Sequence, residues 1–263
     1  MNTDLGNRTV LITGGSKGLG LATALEMASC GAKVAILARD VATLKAAQAQ
    51  IDARATRGGA LAIVCDVCSA EQLSAAHAQV ERELGPVDVL VNNAGHIAAG
   101  AFADITDAMW QADLDLKLMA SVRLTRLVWP GMLARKWGRV INVLNTYAKA
   151  PIAGSAPTSV SRAAQLALTK VLANEGGAHN VLVNALLVGR IKSDQVVRKY
   201  QASGSALTLE AFMQQQAIDA KVPLGRMGEP EEFASIVCFL ASPAGGYING
   251  AAINVDGGMA PVV

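Results

Sequence analysis

Charge is scarce in this chain. Asp, Glu, Lys and Arg make up 17% of its 263 residues, and 23 basic against 21 acidic side chains leave a formal charge of +2. Neither sign is gathered into blocks, so nothing marks a surface for nucleic acid or for a membrane, and the expected partner is a small molecule. No apolar run approaches the ~18 residues that a membrane span needs. The polar stretch from Met1 to Arg8 leads directly into an apolar strand and leaves no room for a secretory signal, so a cytoplasmic location is expected. Cysteine is limited to Cys30, Cys65, Cys68 and Cys238; the single CxxC at Cys65–Cys68 has no second pair to complete a zinc site, so no metal is expected. Linkers, repeats and low-complexity segments are also missing, which favours a single domain over residues 1–263. What the chain has in quantity is apolar side chains, at 52%, enough for a large core and for the interface of a homo-oligomer, a dimer or a tetramer.

The segment TGGSKGLG, Thr13 to Gly20, joins the apolar run Thr9 to Ile12 to the amphipathic run Leu19 to Cys30. A glycine-rich turn between a strand and a helix lets backbone amides approach an anionic ligand closely, which points to a dinucleotide phosphate. Further on, Lys33 to Ala38, Leu61 to Cys65, Val87 to Val91, Arg139 to Leu144, Val181 to Val188 and Ala251 to Val255 are short apolar runs of strand length. Between them lie helical patterns. Asp40 is placed to cap a helix to about Arg54, Ser69 and Gln72 have the form of a capping box, and Thr106 opens a long helix interrupted at Pro130-Gly131. Other helices are expected from Pro157 to about Ala178, near Leu209 to Ala220, and from Glu229 to Ser242. Strands apolar on both faces, alternating with helices, predict a Rossmann-type doubly wound seven-stranded parallel sheet in three α/β/α layers. Residues 191–228 read as an irregular insertion suited to a substrate lid.

Taken with Asp66 after the third strand, Asn92-Asn93-Ala94-Gly95, Val183-Asn184-Ala185, Pro223-Leu224-Gly225-Arg226 and Val255-Asp256-Gly257-Gly258, this pattern resembles the short-chain dehydrogenase/reductase family from Leu5 to Met259. The resemblance implies NAD or NADP, hydride transfer between nicotinamide and a carbonyl or alcohol, and dimers or tetramers. It assigns Gly14, Ser16, Lys17, Gly18, Leu19 and Gly20 to the pyrophosphate and ribose, Asp66 and Val67 to the adenine, Asn93, Ala94 and Gly95 to the floor beneath the adenosine, and Gly189, Ile191, Ser193 and Arg162 to the cofactor as well. Where a carboxylate ending the second strand would select NAD, this chain has Ala38 and then Arg39, with Lys17 in the glycine loop; NADP(H) is expected over NAD(H).

The catalytic half of the resemblance departs from the family. Its Tyr and Lys positions fall on Thr158 and Arg162, its Ser position on Asn145 beside Thr146, and its Asn position on Lys117. An aliphatic hydroxyl is far less acidic than a phenol of pKa ≈ 10, and a guanidinium stays protonated where an ammonium can relay. Tyr147 and His96 are the other groups placed to exchange a proton. The pocket wall is expected from Ala98 to Phe102, Tyr147 to Ala153 and 192–220, which suits an apolar carbonyl compound. Three functions follow as expectations: an NADP-preferring oxidoreductase acting on a carbonyl, alcohol, activated C=C or C=N by an atypical site; a catalytically silent cofactor-binding homologue serving as sensor or partner subunit; and a non-redox lyase or cyclase.

Overall fold

The computed structural model describes residues 2–6 and 8–263. Its strands are β1 (Thr9–Thr13), β2 (Lys33–Ala38), β3 (Ala60–Val64), β4 (Val87–Asn92), β5 (Gly138–Asn145), β6 (Val181–Val188) and β7 (Ala252–Val255). They form one seven-stranded sheet in the order β3-β2-β1-β4-β5-β6-β7, and every pairing is parallel. Strand alternation divides the core in two. Val10, Ile12, Val34 and Ile36 point to the face covered by Met27 and Phe233, while Leu11, Ala35, Leu37 and Leu90 point to the face covered by Leu73, Leu124 and Met132. Each of these fully buried large aliphatic side chains stabilises the fold by roughly 1.5–3 kcal/mol relative to exposure, and both faces of the strands have to be apolar for that reason.

The covering helices are α1 (Gly18–Ser29), α2 (Val41–Arg54) and α9 (Pro230–Ala241) on one side, and α3 (Ala70–Leu84), α5 (Ala120–Arg135) and α6 (Thr158–Gly176) on the other. A short helix α4 (Asp107–Leu114) precedes α5, and α7 (Asp194–Ser203) and α8 (Leu209–Asp219) lie in the insertion after β6. No helix of the described residues is long and apolar enough to cross a membrane. The chain runs outward from β1 to β2 and β3, then returns to β4 on the other side of β1. That reversal leaves a crevice at the carboxyl ends of β1 and β4, the position where open α/β sheets hold ligands.

Several local expectations need correction. Pro130 and Gly131 do not interrupt their helix: α5 continues through them. Leu124, Val128 and Met132, spaced four apart, are buried on one face, and this packing offsets the about 3 kcal/mol that an interior proline costs. The expected capping box at Ser69 is half formed: Ser69 Oγ accepts from the Gln72 amide at 3.2 Å, but Gln72 Oε1 accepts from the Asp66 amide at 2.8 Å instead. The complete box belongs to Glu229 and Glu232 at the start of α9. Within the stretch 191–228, expected to be irregular, Asp194–Ser203 is helical. Between α4 and α5, Asp115–Met119 is a π-helical turn, an inserted residue that rotates the residues following it and that recurs near functional sites.

Candidate active site

The glycine loop is built for close approach. Gly14 and Gly18 have φ of +65° and +52°, values that L side chains rarely adopt, and a Cβ on Gly20 would lie 2.2 Å from the Gly14 carbonyl oxygen. Asn93 ties β4 to the loop, its Nδ2 donating to the carbonyl oxygens of Thr13 at 2.9 Å and Gly14 at 3.2 Å. Thr13 Oγ1 in turn accepts from the amides of Asn93 and Ala94, both at 2.9 Å. Lys17, at the N-cap of α1, supplies no side-chain acceptor to the helix amides. Those amides and the positive end of the helix dipole therefore stay available to an anion, and the residues present fit a dinucleotide pyrophosphate.

A cavity of about 450 Å³ opens from this loop along the carboxyl ends of β4, β5 and β6. Of the residues assigned to cofactor or chemistry, Gly14, Lys17, Gly18, Leu19, Asn93, Ala94, Gly95, Asn145, Thr158, Arg162, Gly189, Ile191 and Ser193 line it. Gly20 packs behind the loop, and Ser16, Arg39, Asp66, Val67, Lys117 and Tyr147 lie off the wall. Ala98 to Phe102 and Tyr147 to Ala153 do not form the wall, and His96, Ile97 and Arg190 do so instead; the expected stretch 192–220 does contribute, through Ser193 to Val196, Arg198, Lys199 and Gln216. Charged side chains of α7 join an otherwise largely apolar wall.

Beneath the cavity lies a buried polar cluster. Lys117 and Asp113, i and i+4 across the π turn, form an ion pair with side chains 0% and 1% exposed. Lys117 Nζ donates to Thr158 Oγ1 at 2.6 Å, and Ser161 Oγ donates to Asp113 Oδ2 at 2.6 Å. Burial, opposed by Asp113, pushes the Lys117 ammonium below its ordinary pKa. The Thr158 hydroxyl also accepts from the Ala98 amide at 2.9 Å and lies 2.6 Å from the Ala98 carbonyl oxygen, to which it donates. Its single proton is thereby committed to the backbone. Asp113 and Ser161 went unremarked in the sequence; the four-residue spacing of Asp113 and Lys117 was the available signal.

Arg162 is 7% exposed, and its Nη1 donates to Gln165 Oε1 at 2.7 Å. A Cβ on Gly95 would come 2.6 Å from Arg162 Nη2, so the guanidinium end packs closely over this glycine. Burial lowers the Arg162 pKa to about 10, with Asp113 opposing, which leaves the group cationic at neutral pH. Arg162 Nε and Asn145 Oδ1 are both buried without a hydrogen-bond partner. His96 stands at the rim, where partial burial, then Lys117, with lesser effects of Arg39 and Arg162, holds its imidazole below the usual 6.5 against the pull of Asp113.

A doubly wound parallel sheet with a glycine-loop cradle at its switch point, opening on a cavity, defines a dinucleotide-binding protein of Rossmann type. Comparison with known proteins gives the family. A family model described as enoyl-(acyl carrier protein) reductase matches residues 14–260. An acetoacetyl-CoA reductase of Shinella zoogloeoides is 35% identical over 96% of this chain and 98% of its own. Among solved structures, an L-sorbose reductase of Gluconobacter frateurii complexed with NADPH and L-sorbose superposes with a TM-score of 0.94 at 31% identity, covering 100% of both chains. An NADPH-bound short-chain oxidoreductase of Pseudomonas aeruginosa PAO1 containing an atypical catalytic centre does so with a TM-score of 0.91 at 35% identity, covering 99% of both. The chain belongs to the short-chain dehydrogenase/reductase family, whose members bind NAD(P)H.

Proposed function

We propose that this protein is an NADP(H)-preferring oxidoreductase that moves hydride to or from a small carbonyl, alcohol or activated C=C or C=N substrate at an atypical centre. The observation that carries the reading is the convergence on one cavity wall of an anion-ready glycine loop and of Arg162 and Asn145, each with a buried polar atom lacking a partner. When bound, the nicotinamide supplies or accepts the hydride. Arg162, a fixed cation in a largely dry setting, polarises the reacting oxygen, and Asn145 orients it; removing such a preorganised donor costs about 10²–10³ in rate. His96 exchanges the proton, directly or through a water, since its imidazole is neutral at pH 7 and is the titratable ring on the wall. Thr158 and Lys117 act as positioning residues: they fix the Ala98 backbone and, through Asp113, the seat of α6. Tyr147, off the cavity wall, is given no step in this reading. Residues 191–228 close over the substrate through α7.

NADP preference rests on charge. Lys17 and Arg39 stand exposed, and the carboxylate that follows Arg39, Asp40, accepts from the Thr43 amide at 2.8 Å as the cap of α2. A screen of NADPH oxidation against ketones, enones, quinones and imines tests the reading: turnover of at least one class is expected, with kcat/KM about 10²–10³ lower in Arg162→Ala. A second reading, a silent cofactor-binding homologue, is favoured by the committed Thr158 proton and the buried Lys117. NADPH binding with no turnover of any class would establish it.

A further inference from the structure

We infer that the substrate carries a carboxylate, placing it in the class of oxo acids and their hydroxy acids, with Arg190 as the carboxylate partner; this rests on the oxidoreductase reading of the same cavity. Six buried side-chain polar atoms of the described residues have no partner, and three of them, Asn145 Oδ1, Arg162 Nε and Arg190 Nε, belong to residues of this one cavity. A partnerless buried polar group is costly in a folded protein, and a concentration of them at one cavity marks what its ligand has to supply. The two guanidiniums ask for acceptors. The Asn145 oxygen asks for a donor. A hydroxy acid offers both within two or three bonds: its carboxylate accepts from the fork of Arg190, and its hydroxyl donates to Asn145 Oδ1 while accepting from Arg162.

Placement agrees. Asn145 pairs with Val188 in the β5–β6 register, and Arg190 follows two residues on. With neighbouring strands about 4.8 Å apart, the two residues start from adjacent strand ends, and both line the cavity. Among the described residues Arg190 forms no ion pair and no side-chain hydrogen bond. On α7, Arg198 also lacks an ion pair, Lys199 donates to Gln216 Oε1 at 2.7 Å, and Asp194 is the carboxylate on that face. A chain whose formal charge is only +2 thus gathers Arg162, Arg190, Arg198 and Lys199 at one opening. For Arg190, on the β6 side, the sheet order sets the cofactor's phosphates apart. The glycine loop follows β1, three strand spacings from β6 in the sheet order, or about 14 Å. It is Ser193 that returns to the loop, its Cβ 4.0 Å from where one on Gly18 would stand.

The reaction balances as oxo acid plus NADPH plus a proton giving hydroxy acid plus NADP: the carbonyl carbon gains the C–H bond and its oxygen the O–H. The test compares short 2- and 3-oxo acids with their methyl esters, in the parent and in Arg190→Leu, and measures thermal unfolding of the protein–NADP complex with each hydroxy acid. The acid is expected to exceed its ester in kcat/KM by about ten- to hundredfold, and Arg190→Leu to collapse that ratio and the hydroxy-acid thermal shift together. Esters or neutral ketones turned over as well as the acids overturn the carboxylate while leaving the oxidoreductase reading in place. Acid binding without turnover, lost in Arg190→Leu, does the reverse. A fall in NADPH affinity that parallels the loss of acid preference in Arg190→Leu assigns Arg190 to the cofactor and overturns the inference.

Discussion

At the scale of single residues, the site turns on which polar atoms have partners. Lys117 and Asp113 neutralise each other out of water, and Thr158 joins them to the Ala98 backbone. Breaking a buried pair from one side leaves an uncompensated charge, so Lys117→Met or Asp113→Leu alone should lower unfolding stability by about 3–5 kcal/mol. The double variant Asp113→Leu with Lys117→Met should recover most of it, since two apolar side chains replace two paired ions. Urea titration of the three variants checks this, and additive losses in the double variant would refute it. The four-residue spacing of this pair is visible in the chain; its burial is not, because it depends on the π turn at Asp115–Met119 that rotates Lys117 beneath α6.

At the scale of elements, helix starts differ in what they leave open. Helix α1 begins without a side-chain cap, so its amides face the cavity, whereas α9 begins with a complete box in which Glu232 accepts from the Glu229 amide at 2.8 Å and pairs with Arg226 at 2.7 Å. The Arg226 hydrogen bond and then the Glu229 amide hold the Glu232 carboxyl down at about 2. A carboxyl whose folded pKa lies below its ordinary 4.5 adds stability that is complete above pH 4.5 and is lost as the pH falls toward 2. Glu232→Gln should therefore flatten the acid limb of the stability curve between those values, an effect kept small by the exposure of the pair. Urea midpoints from pH 6 downward in both proteins measure it; identical acid limbs would count against it. The strands were legible in the chain because both their faces are apolar, and α5's passage through Pro130 was not, because buried neighbours rather than local propensity hold it.

For the whole molecule, ligand and fold are linked. A cofactor that binds only the folded chain stabilises it by about 2.7 kcal/mol at a hundredfold excess over its Kd. NADPH should accordingly raise the melting temperature more than NADH at equal concentration, and Arg39→Ala should remove the difference. Equal protection by both cofactors in the parent would overturn the 2′-phosphate assignment. The apolar share of the chain and the half-exposed Val160 and Val171 on α6 lead us to expect a homo-oligomer, which light scattering after gel filtration resolves directly.

The architecture and the cofactor cradle were determined by the chain itself. Both are local matters: the period of apolar side chains sets the elements, and glycines at Gly14, Gly18 and Gly20 set the turn that meets the phosphate. By resemblance, the family's Tyr, Lys, Ser and Asn positions are expected to fall on Thr158, Arg162, Asn145 and Lys117. What surrounds these residues was decided only in three dimensions. Thr158 is held by Ala98, sixty residues away, and Asn145 and Arg190 reach one cavity because β5 and β6 pair. Whether a polar atom is satisfied or left for a ligand depends on neighbours brought together by folding, and no spacing along the chain encodes that.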